Sequence, residues 1–268
     1  MKFKIVFLNF ILLLIMGCKQ KENKKENITD SKTGIISSNK ISDNIMYWVD
    51  AINNKNTRTL KKMYASNAVK VISADSIINS SSQIAKYYGI HNNSIISIES
   101  LFSVEANIGR RINYELVKYK TESLKDYIQL VIWRLEDEKI IREFEFTKES
   151  TLESTKVDTT NISEKRKLWI ELCNTHNSEN LVKQLYSKNA IYFNHKPIVK
   201  GIKDLIKEYD YMNNKDYTLN LQPLKLEVVN ADFAIEIGQC IGSYNGKYIL
   251  VWKKQADGNW KIDFDSNI

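Results

Sequence analysis

Trp169-Ile-Glu-Leu-Cys-Asn174 and Trp48-Val-Asp-Ala-Ile-Asn53 decide how this chain is organised. Each opens on Trp, carries an acidic third residue and closes on Asn, and the two stand about 121 residues apart. Working outward, Tyr64-Ala-Ser-Asn-Ala-Val69 matches Tyr186-Ser-Lys-Asn-Ala-Ile191 after a one-residue gap. Ile84-Ala-Lys-Tyr-Tyr88 falls on Leu205-Ile-Lys-Glu-Tyr209, Glu115 falls on Glu236, and Trp133 lands near Trp252. A period this long means a duplicated domain and not a solenoid. The 268 residues then divide into copies at 41–148 and 164–268, joined by a Ser/Thr-rich link at 149–163.

The second copy states the order of elements most clearly. Trp169, Leu172 and Cys173 share one helical face at i, i+3 and i+4. Ser178 is positioned to cap a short helix carrying Leu181 and Leu185. Ile202, Leu205, Ile206 and Tyr209 give a third amphipathic helix, entered through Gly201. The period then switches to two: Tyr217, Leu219, Leu221; then Phe233, Ile235, Ile237; then Tyr248, Leu250, Trp252. Asn245-Gly246 and Asp257-Gly258 fall between these runs, where they suit tight hairpins. Helices followed by an antiparallel meander predict an α+β class, with the helices packed on one face of a curved sheet.

Composition and charge narrow the function. Apolar residues make up 43% and charged residues 26%, as in folded globular chains, and 2 Pro with 9 Gly exclude collagen-like and Pro-rich classes. The net charge of +7 is concentrated at the front: residues 1–40 hold eight Lys against Glu22, Glu26 and Asp30. The two copies together are close to neutral, which argues against a nucleic-acid partner.

The front is itself a signal. Met1-Lys-Phe-Lys4, the apolar run Ile5 to Met16 and Gly17-Cys18 make a basic region, an apolar region and a small residue before a cut. The apolar run is short of the roughly 20 residues a spanning helix needs. Ile15-Met-Gly-Cys18 resembles a bacterial lipoprotein lipobox, with Met in place of the usual residue before Gly. That resemblance implies a signal peptide over 1–18, with Cys18 lipidated as the new N-terminus. It also implies a lipid anchor in the bacterial cell envelope, on the periplasmic face or the cell surface. Residues 19–40 are polar and read as a flexible linker. The two Cys of the mature chain, Cys173 and Cys240, cannot make a disulfide framework.

The order of elements resembles the nuclear transport factor 2-like superfamily, in particular its SnoaL-like branch. The residues carrying the resemblance are the Trp169 helix, Tyr186–Ile191, Pro197-Ile-Val-Lys-Gly201, Glu236-Ile-Gly238, Tyr248–Trp252 and Asp257-Gly-Asn-Trp260-Lys-Ile-Asp263. It spans residues 164–268 and is weaker in 41–148, where Glu138-Lys139-Ile140 replaces Gly258-Asn259-Trp260. It implies two tandem cone-shaped domains whose mouths can hold a small ligand. Its members include isomerases, dehydratases, hydrolases, binding modules and interaction domains, so the fold alone names no function.

Ketosteroid isomerase-like members carry an acid/base Asp and an oxyanion-donating Tyr. These positions fall on Asn194 and Trp169 here, and near Ile72 and on Trp48 in the first copy. Asn cannot act as a general base, which disfavours that mechanism. His195 is the substitute candidate if it enters the cone beside Asp263 or Asp265; in an exposed hairpin it would face solvent instead. The three His are too scattered for metal-ligand spacing, and no cofactor is implied. Trp169, Tyr192, Tyr209 and Trp252 are the pocket candidates.

The leading expectation is an anchored envelope lipoprotein whose cones bind a small apolar ligand or a protein partner without catalysis. The alternative is an isomerase-, dehydratase- or hydrolase-type enzyme in the second cone. A third reading has the sheet's outer face, around Glu115 or Glu236, pairing the copies as a pseudo-dimer or two chains as a homodimer.

Overall fold

In a computed structural model the described residues are 38–73, 75–91, 93–107, 111–151 and 157–268. The expected signal peptide, Cys18 and residues 19–37 of the linker lie outside them, as do 152–156 of the link. The first copy runs α1 (Ser38–Asn53), α2 (Thr57–Met63), β1 (Tyr64–Ser73), β2 (Ser76–Asn79) and α3 (Ser81–Ile90). It continues through β3 (Ile95–Asn107), β4 (Ile112–Thr121), β5 (Asp126–Glu136) and β6 (Lys139–Ser150). The second opens with α4 (Thr160–Asn174), α5 (Ser178–Leu185), β7 (Tyr186–Tyr192), β8 (Val199–Lys200) and α6 (Ile202–Glu208). It closes with β9 (Leu219–Val228), β10 (Phe233–Gly242), β11 (Lys247–Lys254) and β12 (Trp260–Ser266).

Each copy forms a six-stranded sheet, ordered β2-β1-β6-β5-β4-β3 and β8-β7-β12-β11-β10-β9. The last four strands of each are the expected meander. The joint the pattern did not predict is parallel: β1 lies beside β6, and β7 beside β12. This puts Tyr64 opposite Arg142 and Lys70 opposite Glu145, as Tyr186 faces Ile262 and Tyr192 faces Asp265. In both sheets the last strand bulges within this stretch, at Glu143 and at Asp263.

Local chemistry explains the element ends. Asn177, not Ser178, caps α5, its side chain accepting from the Asn180 N–H at 3.3 Å; Ser178 is the first helical residue. Asn56 plays the same part for α2, accepting from Thr59 N–H at 3.0 Å. Gly242 ends β10 at φ +136°, where a Cβ would stand 2.4 Å from the Thr218 carbonyl oxygen, so no side chain fits there.

Alternation along the strands splits the core. Ala234 and Cys240 of β10 face the helices with Trp169, Leu181, Tyr209 and Trp252, while Ile235 and Ile237 point the other way. The backs of the two sheets meet. One buried cluster holds Tyr114, Leu116, Leu130, Ile132 and Phe144 of the first copy together with Ile191, Phe193, Ile235, Ile249, Val251 and Phe264 of the second. Phe144 stacks on Phe264 at 4.5 Å and on Phe193 at 5.2 Å, and Tyr114 Oη accepts from the Ile268 N–H at 3.0 Å. Glu115 and Glu236 were expected on this outer face, but both turn to the helix side. Glu115 accepts from Trp133 Nε1 at 2.7 Å, and Glu236 from Tyr248 Oη at 2.6 Å and Arg166 at 3.1 Å. A carboxylate between two packed sheets would find no such donors, so the alternation places aliphatic neighbours there instead.

Candidate functional site

Both cones are built on the same buried frame. In the second, Trp169 Nε1 donates to Tyr186 Oη at 3.2 Å, and the Tyr186 and Tyr209 hydroxyls each donate to Asp265 Oδ2 at 2.5 Å. In the first, Trp48 Nε1 donates to Tyr64 Oη at 2.8 Å, Tyr64 Oη to Glu145 Oε2 at 2.8 Å and Tyr88 Oη to Glu145 Oε1 at 2.7 Å. The frame follows from the parallel joint, which carries a carboxylate on the closing strand to the Tyr at the head of the first strand.

The two cones differ in what surrounds that carboxylate. Where the second has Tyr192 and Ile262, the first has Lys70 and Arg142. Lys70 is 3% exposed and its Nζ stands 2.9 Å from Glu145 Oε1 and 2.9 Å from Tyr88 Oη. The Arg142 guanidinium lies over the Trp48 ring at 4.1 Å, donates to Gln129 Oε1 and stands 3.6 Å from Glu145; its Nε and Nη1 have no hydrogen-bond partner.

Charge follows from these neighbours. Burial alone would push the Glu145 carboxyl up, but Lys70 and Arg142 beside it outweigh burial and hold it below the usual range. Burial pulls the Lys70 ammonium below its ordinary value, with Glu145 opposing. Asp265 accepts from two hydroxyls and the Ser266 backbone N–H and has no cation beside it, so burial prevails and pushes it up to about 6.

Above Glu145 the first cone opens into a cavity of about 210 Å³. Buried Lys70, Tyr88 and Tyr119, the less buried Tyr87 and Tyr127, and exposed His91 are among the residues that line it. Tyr119 and Tyr127 stack at 5.1 Å. The four pocket candidates, Trp169, Tyr192, Tyr209 and Trp252, are all buried in the core cluster of the second cone. Three of their first-copy counterparts, Trp48, Lys70 and Tyr88, line the cavity. Tyr192 in place of Lys70 packs its ring against Tyr209 at 5.5 Å and donates its hydroxyl to Asn267 Oδ1 at 2.5 Å.

His195 is not brought to Asp263 or Asp265. His195, its side chain 22% exposed, sits at φ +53° and places Nδ1 2.6 Å from Glu143 Oε1 of the first copy, at the boundary between the sheets. Asp263 instead accepts from Ser187 Oγ at 2.7 Å, and Asp265 is enclosed by the two tyrosines. Cys173 and Cys240 are buried free thiols. Among the described residues no group of three or more His, Cys, Asp or Glu could hold a metal ion, and no helix is long and apolar enough to cross a membrane.

Sequence reasoning missed Lys70, Arg142 and Glu145, and named Asp265 only as a partner for His195. The signal was present: Glu143-Phe-Glu145 and Asp263-Phe-Asp265 repeat at about the same period as the tryptophans.

No family model matches the sequence, and no curated protein matches it. Solved structures do match. A nuclear transport factor 2-like protein of unknown function from Shewanella oneidensis is 15% identical, with 40% of this chain and 96% of that chain covered and a TM-score of 0.37. A nuclear transport factor 2-like protein from Cytophaga hutchinsonii is 12% identical, with 42% and 99% covered and a TM-score of 0.35. A ketosteroid isomerase-like protein from Erwinia carotovora atroseptica is 13% identical, with 39% and 90% covered and a TM-score of 0.34. The chain carries two tandem copies of one α+β fold, similar to that of nuclear transport factor 2-like proteins.

Proposed function

We propose that this chain is a lipid-anchored protein of the bacterial envelope that binds a small ligand in its first cone, without catalysis. The observation that carries the binding is the cavity lined by Lys70, Tyr88 and further aromatic rings with polar tips. Ligand sites are concave, mostly aromatic or apolar, and carry a few placed polar groups. At about 210 Å³ the cavity is smaller than sites for drug-sized molecules, which suits a ligand of a single ring. The anchor rests on Lys2, Lys4, the apolar run and Cys18. Catalysis in the second cone would need His195 within reach of a carboxylate there, and its Nδ1 is engaged by Glu143.

Two measurements test this. Cys18→Ser moves the protein from the membrane fraction to the soluble fraction and removes the acyl mass; unchanged membrane retention refutes the anchor. Native mass spectrometry of the protein purified from its membrane gives an extra mass that leaves on denaturation and is reduced in Tyr119→Ala. An apo mass, together with no binding by any small aromatic compound up to millimolar concentration, refutes the pocket.

A further inference from the structure

We infer that the ligand of the first cone is a small organic monoanion, a single-ring carboxylate or its equivalent, whose charged group is received by Lys70. The inference rests on the reading of this cavity as a ligand site and adds the chemical class. Its basis is the incomplete pairing of Lys70, the cation that lines the cavity. Lys70 and Arg142 are both buried, and both turn to one carboxylate, Glu145, at 2.9 Å and 3.6 Å. Glu143, also buried, turns to Arg134 and His195; Glu115 accepts from Ser100 Oγ at 2.8 Å and Trp133 Nε1 at 2.7 Å, and its charge acts on Arg142. A buried cation is costly unless it is paired; Arg142 feels both Glu145 and Glu115, whereas Lys70 has only a share of Glu145, which leaves room for one further negative charge beside Lys70.

Geometry says where that charge goes. An ammonium has three N–H donors, and Lys70 directs two of them to Tyr88 Oη and Glu145 Oε1. The third remains on a side chain that lines the cavity. An incoming carboxylate oxygen accepting it gains a charge-assisted hydrogen bond without displacing Glu145. The lining bears on the rest of the ligand: Tyr87, Tyr119 and Tyr127 stand beside Asn93, Thr121 and Thr147, which suits a flat ring with a polar substituent. The second cone serves as an internal comparison. The same Trp–Tyr–Tyr–carboxylate frame recurs there, but Tyr192 and Ile262 replace both cations and the aromatic side chains pack into the core. Cations and cavity occur together in the first copy.

The test compares matched pairs: benzoate with benzamide, and 4-hydroxyphenylacetate with its amide. Each is titrated into the full mature chain in detergent micelles and read by calorimetry and ligand-observed NMR. Each carboxylate binds at least about tenfold tighter than its amide, and Lys70→Gln removes that preference while Lys70→Arg keeps part of it. Should Lys70→Gln fail to fold, the comparison on the unaltered chain decides by itself. Equal affinity for acids and amides overturns the charge assignment and leaves the ligand site standing. No binding in either series overturns this inference; the ligand site falls with it only where the native mass is also apo.

Discussion

Replacing the frame carboxylate by its amide should have opposite effects in the two cones. Asp265 is buried against two tyrosine hydroxyls with no cation beside it, and its carboxyl rises from 3.8 to about 6. Between those values the unfolded chain has lost this proton and the folded chain still holds it, so stability falls as pH rises from about 4 to about 6. Two pH units correspond to about 3 kcal/mol, all of it lost above pH 6. Asn keeps an acceptor oxygen for both hydroxyls and carries no charge, so Asp265→Asn stabilises by about 2–3 kcal/mol at pH 8 and changes little at pH 4. A gain of this size raises the Tm by roughly 5–10 °C.

Glu145→Gln does the reverse. Among the described residues it removes the one carboxylate within ion-pair distance of both buried cations, at a cost of about 3–5 kcal/mol near neutral pH. Because the folded-state carboxyl of Glu145 is held low, its stabilisation is present above about pH 4.5. It is lost as pH falls through the folded value, so the gap between wild type and variant narrows in acid. Urea unfolding of both variants and wild type across this range provides the readout. If both substitutions shift stability in the same direction at pH 8, the reasoning that the cations separate the two cones is wrong.

Two further outcomes follow from packing. Phe144→Ala empties a ring stacked on Phe264 and Phe193 between the sheets and destabilises the chain by about 3–5 kcal/mol, measured by urea unfolding; a loss under about 1 kcal/mol means the sheets do not share a core. Gly242→Ala forces a Cβ to 2.4 Å from the Thr218 oxygen at a φ that side chains rarely adopt. It costs more than about 1 kcal/mol, and an unchanged Tm would contradict that geometry.

Much of the fold was legible because it is local. The 3.6-residue spacing of Trp169, Leu172 and Cys173 and the two-residue spacing of Phe233, Ile235 and Ile237 each report a face that water avoids. The parallel pairing of β1 with β6 was not legible, because it joins Tyr64 to Arg142 across most of a copy and no period in the intervening residues encodes it. The candidate site lies on that joint and was hidden for the same reason. The side toward which Glu115 and Glu236 point was also misjudged. Their apolar neighbours on both sides fit burial on either face, and only the positions of Trp133 and Tyr248 choose between them.

The back-to-back sheets have a consequence for how the two sites can differ. When two separate chains pair through a sheet, every residue is duplicated, so any change to one pocket is made to its twin as well. Here fewer than ten residues connect Ser150 to Thr160, and such a tether holds the second sheet at a local concentration on the order of millimolar. Pairing of the halves is therefore independent of how much protein the cell makes, and the halves need not be identical. One half is free to acquire Lys70 and Arg142 beneath an open cavity, while the other stays closed and packs against its back.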